Sequence, residues 1–290
     1  MNGTRPLQGI ALLLLALACF ATLDSSIKYV SASVPMLTAM WFRYLFQALA
    51  MSAVVLPTRG WRSLHTGRPW MHLLRGGLLL QTSILAFFSL KYLPVGEFTA
   101  IIMLTPLVTT LLAATFFKER VSLLRWLLVA GGFGGALLVA QPRGDAQGWV
   151  LLLPLGCTLT NSLFHIVTSR MARSESAVQL NFFSGWIGML ALSASLPWAW
   201  QGLPDSGSLA VLGLAGLTGT LGHFMLGAAF GRASAATLAP YLYAQIGFAA
   251  LAGWLVFDHM PGPLEFAGIA LIAACGASAA WLAARVPRPV

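Results

Sequence analysis

Apolar runs of roughly membrane-spanning length follow one another along the chain, separated by short polar, proline- or glycine-bearing breaks. They cover approximately 8–30, 36–56, 72–92, 97–117, 121–140, 148–169, 178–200, 209–230, 233–257 and 263–283. Each is close to the roughly 20 residues a helix needs to cross a hydrocarbon core of about 30 Å. The pattern predicts an all-α integral membrane protein with ten transmembrane helices. The first run outlasts the apolar part of a signal peptide, and "LALACF" around Cys19 fits a lipoprotein cleavage box poorly, with Ala16 where leucine is usual. It is read as the first helix.

The bases test that count. With the N-terminus cytoplasmic, the inner segments hold Arg5, Arg59, Arg62, Arg68, Arg75, Lys118, Arg120, Arg125, Arg170, Arg173, Arg232, Arg285 and Arg288. Only Lys91 and Arg143 fall outside, and Lys28 and Arg43 lie within helices. This asymmetry follows the positive-inside rule, and a missed helix would invert every later loop. Both termini are therefore expected in the cytoplasm of a multi-pass inner-membrane protein.

Composition agrees: of 290 residues, 58% are hydrophobic and 9% charged, with a mean hydropathy of +0.80, whereas soluble domains carry about 25% charged residues. The formal charge of +9 is topological and gives no reason to invoke nucleic acid. Cys19, Cys157 and Cys275 lie in apolar runs, which suits packing and neither a disulfide framework nor a metal cluster.

Two internal matches suggest a duplication. A small-residue helix, an acid and a second small-residue helix recur around Glu119 and Asp258, 139 apart, and "DSSIKYVS" at 24–31 matches "NSLFHIVT" at 161–168 with a spacing of 137. Two five-helix halves, 1–143 and 144–290, are expected. Five is odd, so the second half sits upside down, as in the inverted repeats of secondary transporters.

The sequence resembles the drug/metabolite transporter superfamily, and within it the EamA-type permeases. The resemblance rests on "WFRYLFQAL", "HLLRGGLLL", "FFSLKYLPVGEFTAIIMLTPLVTTLLAATFFKERVSLLRW" and "APYLYAQIGFAALAGWLVFDHMP", and it covers essentially the whole chain. It implies a ten-helix inner-membrane carrier that moves a small organic solute, often by exporting amino acids or related metabolites.

Polar residues inside the apolar runs supply the candidate chemistry. Asp24 lies nine residues before Ser33 and Arg43 ten after it, so two helices joined by "SASVP" should bring acid and base to similar depth. Lys28, one turn beyond Asp24, shares the acid or snorkels outward. A charge near the centre of an inserted helix costs about 2.5–3.5 kcal/mol, which calls for a partner or water. A solute or proton site and a structural ion pair both fit.

Asn161 and His165 occupy the inverted counterpart positions, and His223 lies in the inner half of the eighth helix. Such histidines relay protons or serve as neutral hydrogen-bonding groups. Pro106 and Pro240 interrupt the fourth and ninth helices at similar depths from opposite faces, and paired interruptions point to a binding site. Around them lie Thr105, Thr109, Tyr241, Tyr243, Gln245 and, from the third helix, Gln81, as solute contacts or as interhelical glue. Most tryptophans fall at helix ends, the interfacial belt; Phe20, Trp41, Phe42, Phe164 and Phe182 are candidates to line a cavity.

Helices 5 and 10 carry small residues four apart, including Gly131, Gly135, Gly268 and Gly276, a scaffold and a candidate homodimer face. Membrane lipid and a small solute are the expected partners, with no cofactor or metal. Ser184 in "FFSGW" lacks the glycine turn of an activated serine, and no Gly-Lys-Ser phosphate loop is present. A carrier working by alternating access, driven by a proton or solute gradient, is favoured over a hydrolase, and over a membrane receptor or channel that binds or passes solute without accumulating it.

Overall fold

The computed structural model describes residues 6–31, 33–60, 65–92, 98, 101–116, 121–140, 148–257 and 262–285. The helices of twelve residues or more among them are α1 (Pro6–Val30), α2 (Met36–Arg59), α3 (Pro69–Tyr92), α4 (Thr105–Phe116), α5 (Leu123–Ala140), α6 (Leu152–Met171), α7 (Ala177–Ser193), α8 (Ser206–Phe230), α9 (Ala244–Phe257) and α10 (Pro263–Arg285). Five stretches, Pro6–Val30, Met36–Pro57, Gly148–Met171, Ser206–Phe230 and Ala235–Val256, are long and apolar enough to cross a membrane, and α4, α5, α7 and α10 contain shorter apolar helices.

The helix ends follow local chemistry. Ser176 caps α7 by accepting from Gln179 N, and the Gln179 side chain returns to the Ser176 backbone N–H, a complete capping box. Asp205 caps α8 through Gly207 N and Ser208 N. Gly60, at φ 66°, ends α2 in a left-handed conformation that costs a residue without a Cβ least.

Two helices are interrupted where the prolines predict. Before α4 the chain turns at Met103–Leu104, and Pro106 sits in the first turn of the new helix, where its missing N–H matters least. Ahead of α9, a helical turn Ala235–Leu238 passes into a 3-10 stretch Ala239–Tyr243 that contains Pro240.

Packing pairs the helices in a regular way. α1 lies along α8 and α6 along α3; α2 packs on α7 and α5 on α10; α2 also meets α8, as α7 meets α3; and α1 meets α9, as α6 meets α4. Shifting every helix number by five turns each of these pairings into another of the set, or, for α2–α7 and α5–α10, into itself. Glycines permit the closest approaches: a Cβ on Gly222 of α8 would lie 2.6 Å from the Phe20 ring of α1. On α5 and α10, Gly135 and Gly268 face one another, each would-be Cβ meeting the other's carbonyl oxygen at 2.8 and 2.5 Å. These small residues are thus used inside the chain.

The short loop between α1 and α2 does not make them close neighbours. They touch only slightly, because the small-residue face of α8 draws α1 away. Glu119 and Asp258, the acids that mark the proposed repeat, lie outside the described residues.

Candidate functional site

Asp24 sits in the C-terminal third of α1, six residues before its end, and is exposed. Its Oδ2 accepts a hydrogen bond from Gln245 Nε2 of α9 at 3.2 Å, so α1 and the interrupted helix meet at this polar contact. The expected Asp24–Arg43 contact is not closed to an ion pair among the described residues, although the two charges interact at longer range. Arg43 is buried instead against α8, its Cγ and Cδ 3.6 Å from where Gly219 would carry a Cβ. Lys28 is exposed in the last turn of α1.

A second polar group lies deeper. Arg75 of α3, 1% exposed, donates from Nε to Thr168 Oγ1 of α6 at 2.8 Å, and from Nη1 to Leu180 O at 2.8 Å and Ser184 Oγ at 2.6 Å on α7. Its guanidinium lies over the Phe164 ring, 4.7 Å from the centroid. The same ring is 6.0 Å from that of His223, which is 4.8 Å from Phe20. Arg43 Nη1 reaches His223 Nε2 at 3.5 Å and stacks over Tyr44 at 4.0 Å. His165 packs between Phe164 and Phe230, at 5.9 and 5.6 Å. Arg43, Arg75, His165 and His223 thereby form one buried cluster built from α2, α3, α6 and α8.

The break before α4 is held by α6. Thr158 Oγ1 lies 3.1 Å from Ile101 O and Ser162 Oγ 3.3 Å from Thr105 O: two hydroxyls one turn apart facing two carbonyls one turn apart. Thr105 Oγ1 and Thr109 Oγ1 are buried and make no hydrogen bond among the described residues. Pro106 is buried beside them, and its carbonyl accepts from Thr110 Oγ1 at 2.7 Å. Asn161, on the same helix as His165, is half-buried.

Other candidates lie elsewhere. Gln81 is exposed at the end of an apolar groove along α3 formed with Trp70, Leu73, Leu74, Gly77 and Leu78, away from the cluster. Tyr243 is fully buried among Val129, Ala136, Ile246 and Ile272 of the α5–α10 scaffold, where Gly132 leaves room for its ring. Tyr241 belongs to the central core, and neither tyrosine hydroxyl has a partner among the described residues.

Three buried residues escaped sequence reasoning. Arg75 reads as one more inner-loop base, yet it lies beyond the interfacial Trp70 by more than a turn, a signal that it has entered the bundle. Gln47 of α2 and Asn181 of α7, both 0% exposed, lock the α2–α7 crossing. Gln47 Nε2 donates to Asn181 O at 2.9 Å and to Asn181 Oδ1, and Asn181 Nδ2 donates to Thr220 O of α8 at 2.8 Å.

Comparison with known proteins adds independent findings. Residues 7–141 match the EamA-like transporter family. The chain is 28% identical to an S-adenosylmethionine uptake transporter of Rickettsia felis, covering 92% of this chain and 90% of that one. It is 29% identical to a riboflavin transporter of Rhizobium johnstonii, covering 94% and 90%. A pseudopaline exporter of Pseudomonas aeruginosa is 25% identical over 92% of this chain and 94% of its own. A solved crystal structure, 20% identical, superposes with a TM-score of 0.79 over 97% of each chain, which shows a shared fold.

Proposed function

We propose that the chain, whose residues 7–141 match the EamA-like transporter family and which is similar to named transporters over more than nine-tenths of its length, is an EamA-type member of the drug/metabolite transporter superfamily, a multi-pass inner-membrane protein and a secondary active carrier of a small organic metabolite. In this reading ten helices cross the membrane as two inverted halves, 1–143 and 144–290, with both ends cytoplasmic. The halves rock about the α2–α7 crossing to open a central site alternately to each side.

The observation that carries the reading is Asp24, an acid within an apolar helix, bonded to Gln245 just beyond the broken start of α9. An ionisable group at membrane depth is costly and belongs on a solute or proton path. Most of the principal helix pairings map onto one another or onto themselves when every number is shifted by five, which supports the two-half arrangement. Names for uptake and for export both occur among the relatives, and alternating access runs in whichever direction the gradients drive it.

The test is uptake and counterflow of labelled solutes in proteoliposomes under an imposed pH gradient. The panel contains aromatic and aliphatic amino acids, a flavin and a cationic nucleoside metabolite. Each is run with native protein and with Asp24→Asn, after checking that both are folded. Saturable flux that Asp24→Asn lowers at least tenfold, as expected for loss of about 1.4 kcal/mol or more, supports the carrier. Binding without flux would replace it with a receptor, and flux that does not saturate would replace it with a channel.

A further inference from the structure

Arg43 and Arg75 are cations inside the helix bundle; neither has a carboxylate within ion-pairing distance among the described residues, and the Asp24 carboxylate acts on Arg43 only from beyond that distance. A buried charge without a counter-charge is among the least favourable arrangements in a protein. Hydrogen bonds satisfy Arg75 in part: Nε and Nη1 are used, but Nη2 is buried without a partner.

His223 adds to the imbalance. Arg43 can only donate, so His223 Nε2 accepts across the 3.5 Å contact, and the neutral ring then carries its proton on Nδ1. Nδ1 is also buried without a partner. The cluster therefore presents N–H donors from Arg75 and His223 next to one aromatic ring, Phe164, with no acceptor for them among the described residues. Its complement is an acceptor-rich, negatively charged group.

We propose that this cluster seats an anionic group of the transported solute, and that the solute carries a carboxylate. The carboxylate takes charge-assisted N–H bonds from Arg75 Nη2, the nitrogen left free, while Thr168, Leu180 and Ser184 hold the rest of the guanidinium in place. The inference rests on the carrier reading of the same helices, and it names the chemistry of what is carried. Asp24, exposed on α1, leaves a separate place for a positive or hydrogen-donating part of the same molecule.

The experiment uses the full chain in lipid nanodiscs and two probes of equal size, acetate and acetamide, titrated at constant ionic strength with chloride while the melting midpoint is followed. The expected result is saturable stabilisation by acetate and none by acetamide, with the acetate half-saturation concentration raised roughly tenfold in Arg43→Gln and in Arg75→Lys. Arg75→Lys keeps the charge and protects the fold, while Arg75→Gln removes both. A purely structural arginine would shift the midpoint of the unliganded protein and leave the difference between acetate and acetamide unchanged. Equal responses to the two probes, or an acetate effect that survives in the variants, would overturn the proposal. So would saturable flux, in the solute panel, of a compound with no anionic group; that result would leave the carrier standing, whereas absence of flux for every solute would remove the carrier itself.

Discussion

Replacing Gln47 with methionine, which keeps the shape of the side chain and removes its polarity, tests the lock between α2 and α7. In the native protein Gln47 Nε2 makes two hydrogen bonds to Asn181, each worth about 0.6 kcal/mol in a membrane protein. The substitution also leaves Asn181 Oδ1 buried without a donor, a cost of about 1–3 kcal/mol. Part of this is offset because Gln47 Oε1, unpartnered in the native protein, disappears as well. A net loss of about 1–2 kcal/mol follows, or roughly a tenfold change in the unfolding constant. Asn181→Leu should cost a similar amount, since it also removes the bond to Thr220 O. The double variant leaves no stranded amide in this pair, so it should be at least about 1 kcal/mol more stable than the sum of the two losses implies. Reversible unfolding in mixed detergent–SDS micelles, followed by tryptophan fluorescence, measures all four states of this cycle. Additivity within about 0.3 kcal/mol would refute the reasoning, because it would mean that the two amides do not act as a pair.

Gly135→Ala places a methyl group 2.8 Å from Gly268 O and 2.9 Å from Ile272 Cγ1, and should destabilise by about 1–3 kcal/mol through overpacking of α5 on α10; an unchanged melting midpoint would count against the backbone contact. Asp205 caps α8 and accepts from the Ser208 hydroxyl at 2.7 Å. That bond first, then the Ser208 and Gly207 amides, hold its carboxyl below the usual value of 3.8. Its contribution to stability is therefore complete above the ordinary aspartate range and lost as pH falls through the lowered folded value. Asp205→Asn keeps an acceptor at the cap but cannot titrate, so the gap in melting midpoint between native protein and this variant should close as pH is lowered below about 4; a gap that stays constant would contradict the assignment.

What the sequence revealed and what it hid divide along a physical line. Helix interruption is written locally, because proline lacks its N–H wherever it stands, and Pro106 and Pro240 both mark breaks. Asp24 was legible as a costly intramembrane charge, but its partner was not. A short connection suggests that α1 and α2 run side by side, and the side that α1 in fact buries is decided by Gly219 and Gly222, some two hundred residues away in sequence. Arg75 was hidden for a related reason: an arginine soon after a loop satisfies the positive-inside pattern whether it stays at the surface or enters the bundle. Only Thr168, Leu180 and Ser184, brought in by α6 and α7, separate the two cases. Tyr243 shows the opposite case. A tyrosine beside a broken helix reads equally as a solute contact and as interhelical glue, and only the niche that Gly132 opens for its ring shows it packed in the scaffold.

The long sequence distance between Arg75 and its partners also bears on how the chain is made. The serine that receives its shortest hydrogen bond lies 109 residues further on. At the usual pace of synthesis, roughly 5–20 residues per second, about 5–20 s pass between the emergence of the arginine and that of its acceptor. Arg43 waits longer still for His223, which is 180 residues away. During that interval α2 and α3 carry unshielded cations, so their first resting place is one where headgroups or water can reach the guanidinium groups. Entry of those groups into the bundle is then a late event in biogenesis, timed by the arrival of α6 to α8 rather than by insertion of the helices that bear them.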